Sequence, residues 1–245
     1  MTCKNCDASV DGKFCSNCGQ KTEIHRVTFG HLVHEFFHAM THTDKGILLL
    51  LRELIKRPGH VTTEYLAGKR KKYFNPLSFL VITTAASALI SYKSGYYEAL
   101  SQSRDIPDHY RYYKEAMEIM VDNGKMLGLF LIVPLVSFFS WLFFRKPRYN
   151  FAEHFVLQSY VIGFTYVFTA LIVVPIFLLM PQYAIIINSG FQLFFLIYMI
   201  IAYKQFFDNN VILTIIKSIL IMLFFIVFFW VFIFGYVIIK HQIFH

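Results

Sequence analysis

Charged side chains are scarce in this chain. Only 16% of its 245 residues are Asp, Glu, Lys or Arg, where a soluble domain carries about 25%. A disordered protein needs that missing charge, and an ordinary soluble enzyme needs it on its surface, so both classes fit poorly. Four cysteines in 245 residues are too few for a disulfide-dense secreted scaffold. The first 45 residues hold no apolar run, so no cleavable signal peptide is expected. No acidic residue falls mid-way along the long apolar segments, which argues against a proton-coupled pump. No internal repeat of the kind seen in many transporters is visible. What is abundant is apolar: 56% of residues are hydrophobic, 28 are Phe, and mean hydropathy is +0.51. That surplus exceeds what one soluble core hides. An integral membrane protein remains, with a formal net charge of +8.

The composition is split. Residues 1–75 carry twelve of the 23 Lys and Arg and all four Cys. From Pro76 onward five stretches approach or exceed the roughly 20 apolar residues that cross a bilayer: 76–92, 126–144, 155–180, 184–203 and 211–239. The last is long, so its start up to Lys217 is expected at the interface, with the lysine snorkelling to the head groups. Pro134 and Pro175 are expected to kink their helices. The 145–154 loop adds Arg145, Lys146 and Arg148, whereas the 93–125 loop has five basic residues against six acids. The positive-inside rule then puts the N-terminus in the cytoplasm and the C-terminus outside. The expected fold is all-α and polytopic, in three parts: a zinc ribbon over 1–22, cytoplasmic interfacial helices with a basic segment over 23–75, and a transmembrane helical domain over 76–245.

Cys3-x-x-Cys6 and Cys15-x-x-Cys18 have the spacing of two knuckles that place four thiolates around one tetrahedral Zn2+. The alternative is two disulfides, which a cytoplasmic location disfavours. Four cysteines close the coordination shell, so the zinc is structural. The segment resembles the short zinc ribbons at the N-termini of many bacterial membrane proteins, closely in Lys13-Phe14-Cys15-Ser16-Asn17-Cys18-Gly19 and less so at Asp7, where such ribbons often have Gly.

Residues 29–42 place Phe29, Leu32, Val33, Phe36, Phe37 and Met40 on one helical face and His31, His34, His38 and His42 on the other. Within it His34-Glu35-x-x-His38 matches the zincin pattern, two histidines on metal and a glutamate as general base. A pattern of three fixed residues arises easily in a histidine-rich helix, and no further protease signature follows. An interfacial helix with a polar histidine face is the simpler account.

A second amphipathic helix is expected from about Lys45 to Lys56, stopped by Pro58-Gly59. Then comes Lys69-Arg70-Lys71-Lys72-Tyr73-Phe74-Asn75-Pro76, four cations and two aromatics at the start of the first span, a composition that anionic head groups attract. A pure topology anchor is the simpler account, specific lipid or partner recognition the alternative, and nucleic-acid binding is not expected. Arg57-Pro58-Gly59, Glu64-Tyr65-Leu66, Gly68-Lys69-Arg70 and Tyr73-Phe74-Asn75-Pro76-Leu77 resemble the signature of an uncharacterised bacterial membrane family, domain-of-unknown-function family 3667. The resemblance covers roughly residues 3–80. It implies a zinc ribbon followed by several spans, and carries no activity. It marks Arg57, Glu64, Tyr65, Lys69, Arg70, Lys71, Lys72, Tyr73 and Asn75 as candidates for binding lipid or a partner.

Polar residues are few in the spans. Asn150-x-x-Glu153 fits a helix cap, and Gln158, Asn188 and Gln192 can bridge helices. The leading functional expectation is a non-enzymatic adaptor or assembly factor of the bacterial cytoplasmic membrane. Its ribbon and basic face would dock a protein partner or anionic lipid. The alternatives are a transporter, channel or lipid-handling protein with a cavity lined by Glu153, Gln158, Asn188 and Gln192, and a metalloprotease using His34, Glu35 and His38.

Overall fold

The computed structural model describes residues 1–30, 32–34, 46–96, 112–113, 115–116, 118–119, 128–145 and 148–244. Apart from isolated bridges in the ribbon, no strand occurs among them. Two short helices, α1 (Ile47–Lys56) and α2 (Pro58–Leu66), precede the apolar part. The first span is α3 (Pro76–Lys93). A π-helical stretch Gly128–Ile132 leads into α4 (Val133–Phe143). Next, α5 (Phe151–Phe168) runs through a second π stretch, Thr169–Val173, into α6 (Val174–Leu179). A single 3-10 turn, Pro181–Tyr183, joins it to α7 (Ala184–Phe207), and α8 (Val211–Phe244) follows.

Among the described residues, four helices are long and apolar enough to cross a membrane: Pro76–Lys93, Phe151–Leu179, Ile186–Phe207 and Val211–Gln242. The segment expected at 126–144 is shorter, five residues of π-helix followed by eleven of α-helix, with residues 121–127 before it outside the described residues. Both expected proline sites sit at π-to-α junctions. A proline lacks the amide hydrogen and its ring crowds the carbonyl four residues back. The wider π turn takes up that mismatch without breaking the helix. Several hydroxyls inside the spans return to their own helix, as Ser137 Oγ does to Val133 O (2.6 Å) and Thr169 Oγ1 to Thr165 O (2.8 Å). Those hydroxyls are paired without a partner from another helix or from water.

The spans are staggered. Tyr160 donates its hydroxyl to Phe74 O (2.8 Å), just before α3 begins. Tyr160 lies nine residues into α5, about 13 Å along its axis at 1.5 Å per residue. The first span therefore starts well below the ribbon-side end of α5. Gly163 lets the two helices meet closely there: a Cβ on it would stand 2.8 Å from the Phe79 ring. The room above α3 is filled by α1, α2 and the N-terminal segment. One apolar core runs through all of them, with Leu50, Leu54, Val61, Tyr65, Phe79, Leu157, Tyr160, Met199 and Tyr203 buried. At the far end of the bundle Lys240 and His241 pair with Glu115. The outward faces of α7 and α8 expose Leu193, Ile197, Val227, Phe228 and Phe232, as lipid-facing helices do.

Candidate metal centre and its basic collar

The four cysteine Sγ atoms lie within 4.8 Å of one another, with Cys3–Cys18 and Cys6–Cys15 each at 3.6 Å. A disulfide needs about 2.05 Å, and all four thiols are free. Four sulfurs at about 2.3 Å from a central ion stand about 3.8 Å apart in a tetrahedron. The donor set thus fits one thiophilic metal ion.

The two knuckles repeat one another. Cys3 O accepts from Asp7 N (2.9 Å) as Cys15 O does from Gly19 N (2.8 Å). Cys3 N reaches Ala8 O and Cys15 N reaches Gln20 O, both at 2.8 Å. Each turn needs a left-handed residue after its second cysteine: Asp7 has φ +59° and Gly19 φ +69°. Asp is one of the few side chains that tolerate this region, so the departure at position 7 keeps the turn. The Ala8 N–H and the Asn17 side chain pull the Cys6 thiol down to about 7, while burial pushes Cys18 up to about 11. Only Cys3, Val10 and Cys15 are buried in the ribbon's own core. A fold this thin would take its stability from a metal held by the four sulfurs.

Both knuckles dock on the backbone of the basic segment. Asn5 Oδ1 accepts from Lys72 N (2.9 Å), and Gln20 Oε1 accepts from Arg70 N (3.1 Å) and Lys71 N (3.2 Å). Gly68, at φ +117°, makes the close approach possible, since a Cβ there would meet Ile24 Cδ1 at 2.8 Å. Arg70 donates to His25 O (2.7 Å). Next in the chain, Arg26 forks onto both carboxylate oxygens of Glu153 at 2.9 Å, and Asn150 Nδ2 donates to Val27 O (3.0 Å). The expected cap at Asn150 and Glu153 is present as a full capping box.

Beneath this lies a charge cluster centred on Glu64. Its Oε1 accepts from Arg57 Nη1 (2.6 Å), and its Oε2 from Lys72 Nζ and Tyr73 OH, both at 2.8 Å; Lys69 Nζ stands 3.5 Å away. Arg57 also pairs with Glu53. Burial works to raise the Glu64 pKa, but Lys72, Arg57 and Tyr73 outweigh it and hold the carboxyl down at about 2. Tyr65 is 1% exposed, packed edge-on against Tyr160. Asn75 caps α3, accepting from Leu77 N (3.0 Å) and Ser78 N (3.1 Å). The nine candidate binding residues are thus brought together around one loop, and most bind one another. The Lys71 side chain is exposed. Sequence reasoning missed Asn5, Gln20, Arg26 and Glu53 as partners. For Asn5 and Gln20 the available signal was their position in the knuckles.

Gly59 sets how α2 sits. A Cβ at Gly59 would lie 2.3 Å from Ala202 O and 2.7 Å from Phe206 N, so α2 rests on the α7 backbone. Gly59 N donates to Gln205 Oε1 (3.0 Å), and Tyr198 OH to Leu54 O (3.0 Å).

His34 is in a helical turn, while Glu35 and His38 lie outside the described residues. Glu153 holds Arg26, and Gln158 Nε2 donates to Tyr203 OH (2.7 Å). Asn188 bonds back to Ala184 O (3.1 Å) near the opposite end of α7, and Gln192 is exposed.

Residues 44–87 match a family model described as a protein of unknown function (DUF3667). The match makes this segment similar to that family and covers less than a fifth of the chain. The matched segment spans α1, α2, the Glu64 cluster, the basic loop and the first two-thirds of α3. It leaves the ribbon outside, unlike the resemblance read over 3–80, and it coincides with the collar around which the ribbon docks. No curated protein and no solved structure matches the chain.

Proposed function

We propose that this is a non-enzymatic adaptor of the bacterial cytoplasmic membrane. Its zinc ribbon, held at the cytoplasmic face, is the docking surface for a protein partner. The observation that supports this is the mounting of the ribbon. Side chains from both knuckles fasten it to the DUF3667 loop, while its outer surface carries Lys13 and a Phe14 that is 57% exposed. An exposed aromatic on a module outside the apolar bundle is the kind of anchor a protein interface buries. A closed set of four thiolates suits structural zinc in a reducing compartment, and the basic loops support the cytoplasmic orientation, with the C-terminus outside.

The collar supplies the membrane seat. Leu48 is 76% and Ile55 66% exposed on α1, flanking the exposed cations Arg52 and Lys56. Leu54 O is held by Tyr198, nine residues in from the end of α7, about 13 Å along its axis. In this reading α1 lies in the leaflet with its leucine and isoleucine among acyl chains and its cations at anionic head groups. The test is a photo-crosslinking residue at Asp11 in the full chain in native membranes. A discrete protein adduct that disappears with Phe14→Ala is expected; adducts to lipid alone, or no adduct, would overturn the reading.

A further inference from the structure

We infer that metal binding by the four cysteines controls the conformation of the basic loop, so that the docking face is assembled only when the ribbon is metallated. This rests on the adaptor reading for its biological consequence, but the coupling is a property of the fold alone.

Three observations carry it. The ribbon has no core beyond Cys3, Val10 and Cys15, so its knuckles stay closed only while something holds the sulfurs together. Each knuckle also contributes a clamp on the loop. Asn5 sits between Cys3 and Cys6. Gln20 is itself a part of the second knuckle, since its carbonyl caps Cys15 N. The position of both side chains therefore follows from knuckle closure. Finally, the clamped groups are consecutive backbone amides, Arg70, Lys71 and Lys72, immediately before the first span. Opening the knuckles removes the side-chain acceptors of Lys71 N and Lys72 N and draws Lys4 away from Gly68. The Glu64 cluster keeps hold of the Lys72 side chain from below. What is released is the loop between Gly68 and Lys72 and the ribbon above it, while the spans stay packed.

The experiment uses the full chain in lipid nanodiscs, with hydrogen–deuterium exchange read at residues 68–73. Samples are loaded with one equivalent of zinc, then stripped with a chelator, then reloaded. The amides of Lys71 and Lys72 are expected to exchange at least tenfold faster after stripping and to recover on reloading. Amides in α5 should not change. The double variant Asn5→Ala, Gln20→Ala leaves all four ligands in place. It should still bind one zinc, yet show fast exchange at Lys71 and Lys72 with zinc present. Unchanged exchange at these amides on stripping, while residues 1–20 open, would overturn the coupling. So would a double variant as protected as the parent. Neither outcome depends on whether a partner crosslinks at the ribbon, so the coupling and the adaptor reading fail separately.

Discussion

At Gly59 a single methyl group would stand 2.3 Å from a backbone oxygen and 2.7 Å from a backbone nitrogen of α7. Backbone cannot rotate away as a side chain can. Gly59→Ala is expected to cost about 3 kcal/mol or more, seen as a lowered thermal midpoint in detergent with the fold otherwise retained. Asp7 makes the opposite prediction. Its φ of +59° is a conformation that glycine adopts without strain. Asp7→Gly should stabilise the knuckle by about 1 kcal/mol and tighten zinc binding several-fold in a competition titration. Glu64 gives a pH signature. Its folded pKa of about 2 lies below the ordinary 4.5, so the native state binds its proton later than the unfolded chain. The cluster's stabilisation is complete above about pH 4.5 and is lost as pH falls towards 2. Glu64→Gln should lower stability by about 2 kcal/mol at pH 7, and the gap to the parent should close in acid.

At the scale of elements, Asn75 caps α3: its carbonyl oxygen accepts from Leu77 N and Ser78 N. Asn75→Ala should cost about 1 kcal/mol and Asn75→Asp little, measured by denaturant titration of the helical signal. This contrast marks what a sequence makes legible. Knuckle spacing, the Asn150–Glu153 capping box and apolar runs are local patterns, governed by contacts a few residues apart, and each was readable. The Arg26–Glu153 fork joins residues 127 apart, and the Asn5 clamp reaches Lys72 across 67. Both depend on α3 beginning some way down α5, which no local period encodes. The basic run was legible as charge but not as a paired cluster, because its partner Glu64 sits on the preceding helix and also holds Arg57. The 126–144 segment was readable as apolar, whereas the π turn before Pro134 was not, since a proline permits several local repairs.

For the whole molecule, the specific chemistry gathers at the end where the ribbon docks, and the collar ties it to the spans at three levels: Arg26 on Glu153, Tyr198 on Leu54, and Tyr160 on Phe74. The stagger behind this arrangement has a mechanical consequence. With α1 in the ribbon-side leaflet as proposed, the protein takes the place of lipid in one half of the bilayer above a first span that starts late. One-sided displacement is relieved where head groups are already spread apart, on the outside of a bend. The protein should partition into 30 nm rather than 200 nm reconstituted vesicles of the same lipid, about twofold or more by density-gradient analysis. Replacing Leu48 and Ile55 with serine should abolish that preference without detaching the chain from the membrane.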